Sequence, residues 1–199
     1  RTLIIHVGYP KTGSSTLQYG LFDYLKKIGH IDLKTWRYED PNEILEDRLS
    51  SLLFRKKKVS SKYQINPNKS LTIVSDESLT APIRLRQNNF GNDIANPMTF
   101  PKSMLQAYKV DVANGLSIKI LVVIRNQADL IYSQYVEEYK LKLIKSVDII
   151  YNKDGDIDLS GMEIYDYSIY LNELEKTFGK KNITVCLFED FKNNIMKFS

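Results

Sequence analysis

The stretch Gly8-Tyr9-Pro10-Lys11-Thr12-Gly13-Ser14-Ser15-Thr16 gathers two glycines, a lysine and four aliphatic hydroxyls into one short segment. Such residues hold anions: glycines let the backbone turn its N–H groups inward, hydroxyls add donors, and the lysine adds charge. The glycines have the spacing of the nucleotide-binding pattern G-x-x-x-x-G-K-[ST], yet Ser14 stands where that pattern has its lysine. The cation is Lys11 instead, two residues before the second glycine. Arg125 and Ser133, eight residues apart, form a second pair. An Arg fork and a hydroxyl that converge on one phosphate would read it in both charge and geometry. Asp76 and Glu77 are adjacent carboxylates directly after the apolar run Leu71–Val74, suited to accepting a proton or to holding a metal.

These residues need elements to position them. Thr2–Val7 is a β-rich run broken by Gly8, Pro10 and Gly13, and Leu17, Leu21, Tyr24, Leu25 and Ile28 then follow at helical spacing up to Gly29. The first anion segment is therefore a strand, a glycine-containing loop and a helix. A second helical pattern runs from Pro41 to about Lys57 and ends in Arg55, Lys56, Lys57 and Lys58. Residues 81–101 read as a loop, and a helix follows over Lys102–Ala113. Ile118–Ile124 is the strongest strand and reads as apolar on both faces, so Arg125 falls at its carboxyl end, where open α/β sheets bind ligands. A helix over Ala128–Leu143 carries Ser133 about two turns in. Residues 146–161 suggest a small hairpin or flap, Tyr165–Phe178 a helix, and Ile183–Phe188 a fourth strand. Alternating strands and helices predict an α/β fold of three layers, P-loop-like, with a central parallel sheet flanked by helices.

Pro10-Lys11-Thr12-Gly13-Ser14-Ser15-Thr16-Leu17 resembles the 5'-phosphosulfate loop of the PAPS-dependent sulfotransferases, approximately P-K-[ST]-G-[ST]-[ST]. Ile120–Tyr139 is similar to the 3'-phosphate motif of the same family, a hydrophobic strand ending in Arg with a Ser eight residues later. Weaker similarity to the bacterial carbohydrate or heparan-type branch covers Tyr165-Asp166-Tyr167, Leu171, Phe178-Gly179 and Phe188-Glu189-Asp190. The resemblance implies one sulfotransferase domain over residues 1–199. Family members continue beyond the Glu189-Asp190 region into a further segment, whereas this sequence ends at Ser199.

The resemblance also implies the roles. PAPS is the co-substrate and 3',5'-ADP the product. Lys11, with Thr12, Gly13, Ser14, Ser15 and Thr16, would hold the 5'-phosphosulfate, while Arg125 and Ser133 would hold the 3'-phosphate. Lys11 would also stabilise the leaving oxygen, where charge grows as the S–O bond breaks. An acceptor hydroxyl or amine, on a glycan by the branch resemblance, must lose a proton. The family places the base immediately after the second strand, and Glu77 is the first choice for its reach, with Asp76 second. A sulfuryl group carries less charge than a phosphoryl group, so no metal is expected.

Composition bounds the alternatives. Apolar residues make up 43% and charged residues 26%, as in an ordinary globular domain. A net charge of +4 is well short of a dedicated DNA-binding domain, so no nucleic-acid partner is expected. The longest apolar run, Ile120–Ile124, is too short to span a bilayer. Cys186 is the single cysteine and His6 and His30 are the only histidines, which excludes a disulfide framework, argues against zinc and makes a cytoplasmic location the expectation. Two rivals remain. Leu71-Thr72-Ile73-Val74-Ser75-Asp76-Glu77 can be read as a metal-binding strand of a P-loop ATPase or kinase. Arg55–Lys58, Lys62, Arg84 and Arg86 can be read as a non-catalytic binding face for acidic polysaccharide.

Overall fold

Successive residues of a strand point to opposite faces of a sheet, and the segment Thr2–Gly8 offers bulk to both. Leu3, Ile5 and Val7 pack into one apolar cluster with Met104, Ile120, Leu130, Tyr170 and Leu174. Ile4 lies against a second cluster on the other side, built from Leu17, Phe22, Ile31, Leu33, Ile73 and Val123. A strand buried on both faces must sit inside a sheet with helices on each side. In the computed structural model, which describes residues 1–9, 11–35, 64–80, 97–140, 154 and 163–193, that is its position.

Five strands, β1 (Thr2–Gly8), β2 (Asp32–Thr35), β3 (Leu71–Ser75), β4 (Ser117–Ile124) and β5 (Ile183–Leu187), pair in the order β2-β3-β1-β4-β5. Every pairing is parallel, and the register brings the strand ends level: His6 lies beside Ser75, Gly8 beside Val123 and Ile124 beside Leu187. The chain fills one side of β1 with β2 and β3 and then crosses to the other side for β4 and β5. The winding therefore reverses between β1 and β4, and the crevice at the carboxyl ends of these two strands is where such sheets bind ligands. The three-layer α/β reading holds.

Several expectations change in detail. β2 is an additional edge strand that makes Ile183–Leu187 the fifth strand and not the fourth. β4 is not apolar on both faces throughout, because Ser117 and Lys119 are exposed and only its carboxyl half is covered on both sides. The helix after the first loop is not regular. It runs as α1 (Ser14–Thr16), a π-helical stretch over Leu17–Phe22 and α2 (Asp23–Lys27), and ends at Gly29 with φ 79°. The expected helix over Lys102–Ala113 starts earlier and breaks in the middle, giving α3 (Phe100–Ala107) with Pro101 in its first turn and α4 (Lys109–Ala113) on either side of buried Tyr108. α5 is Gln127–Lys140, and α6 is Tyr167–Phe178, N-capped by Asp166, whose carboxylate accepts from the Ser168 and Ile169 N–H groups. Phe188, expected to end a strand, opens α7 (Phe188–Asn193). The expected helix at 41–57, the loop at 81–96 and the flap at 146–161, apart from Asp154, lie outside the described residues. No described helix is long and apolar enough to cross a membrane.

Candidate functional site

The loop after β1 is held in shape by its own bonds. Thr12 is buried, and both its N–H and its hydroxyl donate to the Tyr9 carbonyl, at 3.2 and 2.6 Å. Lys11 and Gly13 on either side of it have φ of 69° and 77°. The left-handed region is costly for a residue with a Cβ, so Lys11 is a strained position, of the kind that clusters at ligand sites. Glycine is required at Gly13 twice over, by its φ and because a Cβ there would come within 2.9 Å of the Phe188 ring. Thr16 and Leu17 donate to the Gly13 carbonyl and start the helix. The N–H groups of Ser14 and Ser15 precede these first bonds, as helix starts leave them. Ser15 and Thr16 are exposed, whereas Ser14 is buried.

Beneath the loop lies a small polar notch. A Cβ on Gly8 would overlap Ser14 Oγ and would approach His6 Cε1 and Nε2 to 3.0 and 3.1 Å. Only glycine leaves room there. Ser14 Oγ and His6 Nε2 are both buried without a hydrogen-bond partner. Buried polar atoms are rarely left unpaired, and two facing one notch under an anion-type loop fit a site that acquires partners on binding. His6 is fully buried, and loss of solvation lowers its pKa to about 4, so its ring is neutral near pH 7. Its Nδ1 lies 2.7 Å from Ser75 Oγ, which also accepts from Gln18 Nε2 at 2.9 Å, and the ring meets Phe22 edge-on.

Arg125 immediately follows β4. One guanidinium nitrogen donates to the Lys11 carbonyl at 3.1 Å, and the guanidinium stacks on Phe188, 5.0 Å from the ring centre. The stacking follows from register, because Ile124 pairs with Leu187 at the strand ends and the residues that come directly after them are Arg125 and Phe188. The Tyr167 hydroxyl donates to the Arg125 carbonyl at 2.7 Å, and Glu189 Oε1 accepts from the Asn126 N–H. Arg125 thus leans across the crevice between β4 and β1 and braces the first loop, without an ion pair to Asp129. Ser133 is half-buried on α5 with no hydrogen bond to Arg125.

Asp76 and Glu77 follow β3 directly in the chain. Asp76 is buried, and its N–H lies 3.4 Å from the His6 carbonyl. Glu77 opens a 3-10 turn, Glu77–Thr80, and the Thr80 hydroxyl donates to the Gly8 carbonyl at 2.9 Å, tying this turn to the loop. The Glu77 side chain lies outside the described residues, as do Pro10, Arg55–Lys58, Lys62, Arg84 and Arg86.

Five residues that shape the site carry no site role in the sequence reading. Phe188 carries the Arg125 stack and fills the space beside Gly13. Tyr9, whose hydroxyl donates to the Ile164 carbonyl at 2.6 Å, anchors the loop to the chain ahead of α6. His6, Ser75 and Gln18 form the buried network below it. Only the β1–β3 pairing, a tertiary fact, brings His6 and Ser75 together.

Fold and site together define an α/β protein of P-loop-like architecture, with an anion-type loop at the switch point and an arginine from the neighbouring strand bent over it. No family model and no curated protein matches the chain by sequence. Among solved structures, the chain is similar to a sulfotransferase from Alicyclobacillus acidocaldarius, with a TM-score of 0.58 at 14% identity over 100% of this chain and 77% of that one. A mouse sulfotransferase complexed with PAP aligns with a TM-score of 0.44 at 14% identity and is spanned over 55% of its length. Polyphosphate kinase 2 from Arthrobacter aurescens aligns with a TM-score of 0.41 at 11% identity. The first of these shares the fold.

Proposed function

We propose that the protein is a PAPS-dependent sulfotransferase that moves a sulfuryl group to a hydroxyl or amine, on a carbohydrate acceptor, and releases 3',5'-ADP. The observation that carries this reading is the bond from Arg125 to the Lys11 carbonyl. It joins the two motifs that resemble the family's 5'- and 3'-phosphate motifs at a single crevice, although they are 114 residues apart in sequence. PAPS supplies an activated sulfuryl group on a phosphate leaving group. The notch under the loop fits its 5' end, since the buried Ser14 hydroxyl is unpaired and the loop presents donors and no carboxylate.

In this reading, the N–H groups of Gly13, Ser14 and Ser15 and the Ser14 hydroxyl hold the 5'-phosphate, and Ser15 and Thr16 line the exposed rim. The N–H groups of Thr12 and Thr16, expected to join them, instead hold the loop in shape through the Tyr9 and Gly13 carbonyls. Lys11 places its ammonium on the bridging oxygen and gains most when charge develops there. Arg125, oriented by Phe188, and Ser133 take the 3'-phosphate. Glu77, with Asp76 as the second choice, removes the acceptor proton from the turn that Thr80 ties to the loop. No step calls on a metal, and a cytoplasmic setting suits the single cysteine, Cys186.

The test is transfer of radiolabelled sulfate from PAPS, in EDTA, to a panel of glycans, lipids and phenols. Label on a glycan is the expected result. Label only on phenols or lipids would correct the acceptor class. No label, together with magnesium-dependent phosphoryl transfer from ATP, would make the kinase reading the correct one.

A further inference from the structure

The hydrogen atoms of the network under the loop can be assigned from its valences. Ser75 Oγ has one proton to give, and its side-chain partners are Gln18 Nε2, which can only donate to it, and His6 Nδ1. A buried hydroxyl gives its proton to the acceptor at hand, so Ser75 donates to Nδ1 and the imidazole carries its own proton on Nε2. That N–H points to the notch where Gly8 lacks a side chain, and Ser14 Oγ lies at the same notch. Both atoms are buried and have no hydrogen-bond partner. A serine hydroxyl has one proton and two acceptor lone pairs. If a fixed N–H occupies one lone pair, the hydroxyl proton is left to turn outward to an anion.

We propose that His6 is a positioning residue of the anion loop. When the loop is loaded, its Nε2–H donates to Ser14 Oγ, and the Ser14 hydroxyl becomes a committed donor to the bound 5'-phosphate. This inference rests on the phosphate-loop reading above and adds to it a residue that never touches the nucleotide. The Gln18–Ser75–His6 chain holds the imidazole in the tautomer that does this. Because the ring is neutral as well as fixed, it orients the hydroxyl without adding a charge of its own.

The experiment is nitrogen NMR of the protein with 15N-labelled histidine, free and with 3',5'-ADP. Only two imidazoles contribute, His6 and exposed His30, and the His30 signals are identified by their loss in His30→Gln. In the free protein His6 is expected as the Nε2–H tautomer, and on nucleotide addition its Nε2 resonance should move while Nδ1 stays put. A His6 protonated on Nδ1 overturns the proposal. So does an Nε2 that stays still while the loop amides of Gly13–Thr16 shift. If neither the amides nor His6 respond to 3',5'-ADP or to inorganic sulfate, the phosphate-loop reading has failed and takes this proposal with it.

Affinities give a second readout. His6→Phe should weaken 3',5'-ADP binding about tenfold, while His6→Gln, which keeps an N–H near the same place, should stay within about twofold. With Ser14→Ala already present, His6→Phe should add less than about twofold, since the serine through which it acts is gone. An equal loss on both backgrounds would mean that His6 is only packing, and would overturn the proposal.

Discussion

Lys11 and Glu77 are assigned opposite ends of the same displacement, and their variants should behave differently. Glu77→Gln keeps shape but cannot accept a proton, so turnover should fall by roughly 10² to 10⁴ with nucleotide affinity nearly intact. Lys11→Ala should lower turnover and weaken 3',5'-ADP binding together, because the ammonium touches the nucleotide before reaction as well as during it. Steady-state kinetics beside equilibrium binding separates the two patterns. If Glu77→Gln stays active while Asp76→Asn is dead, the base is the neighbouring residue. If both carboxamides transfer at the wild-type rate, the base lies away from the end of β3.

Between elements, the site depends on close approach. β1 ends in Gly8 because Ser14 and His6 occupy the place of its missing side chain. Gly8→Ala must push Ser14 off its seat, so binding of 3',5'-ADP should fall by at least about tenfold. Calorimetry on a variant whose circular dichroism spectrum is unchanged measures this, and unaltered affinity would mean that the notch is no part of the site. The same close approach explains what could be read in advance. Glycine spacing and the lysine at Lys11 are local signals, and the loop, β1, β3 and the carboxyl half of β4 were legible from them and from apolar runs. β2 was not, since a four-residue edge strand, Asp32-Leu33-Lys34-Thr35, has too few residues to show alternation. The π-helical stretch at Leu17–Phe22 keeps an apolar spacing that reads as an ordinary helix. The role of Phe188 is not legible in the sequence, because its stack on Arg125 arises from the β4–β5 register and leaves no mark in either segment alone.

For the whole molecule, buried His6 links folding to pH. Its folded pKa is about 4 against an ordinary 6.5, lowered by loss of solvation. Between these values the unfolded chain binds the extra proton, so stability falls as pH drops from 6.5 towards 4 and is fully present above 6.5. Complete burial makes the span on the order of 3 kcal/mol. Urea unfolding at pH 7 and pH 4.5 should show a loss in the wild type that is smaller in His6→Gln, which lacks the buried imidazole. Equal losses would mean that His6 is hydrated in the folded protein.

The fold brings loop and arginine to one crevice, and the central claim is that the crevice reads a nucleotide bearing phosphates at both its 5' and 3' positions. Calorimetry in EDTA with 3',5'-ADP, 5'-AMP and ATP, on the wild type and on Arg125→Ala, tests this most directly. The wild type should bind 3',5'-ADP most tightly without metal. Arg125→Ala should lose about 2 to 4 kcal/mol for 3',5'-ADP. It should lose no more than about 1 kcal/mol for 5'-AMP, the part owed to the bracing bond on Lys11. Failure of the wild type to bind 3',5'-ADP, or equal losses for both nucleotides, would contradict the account.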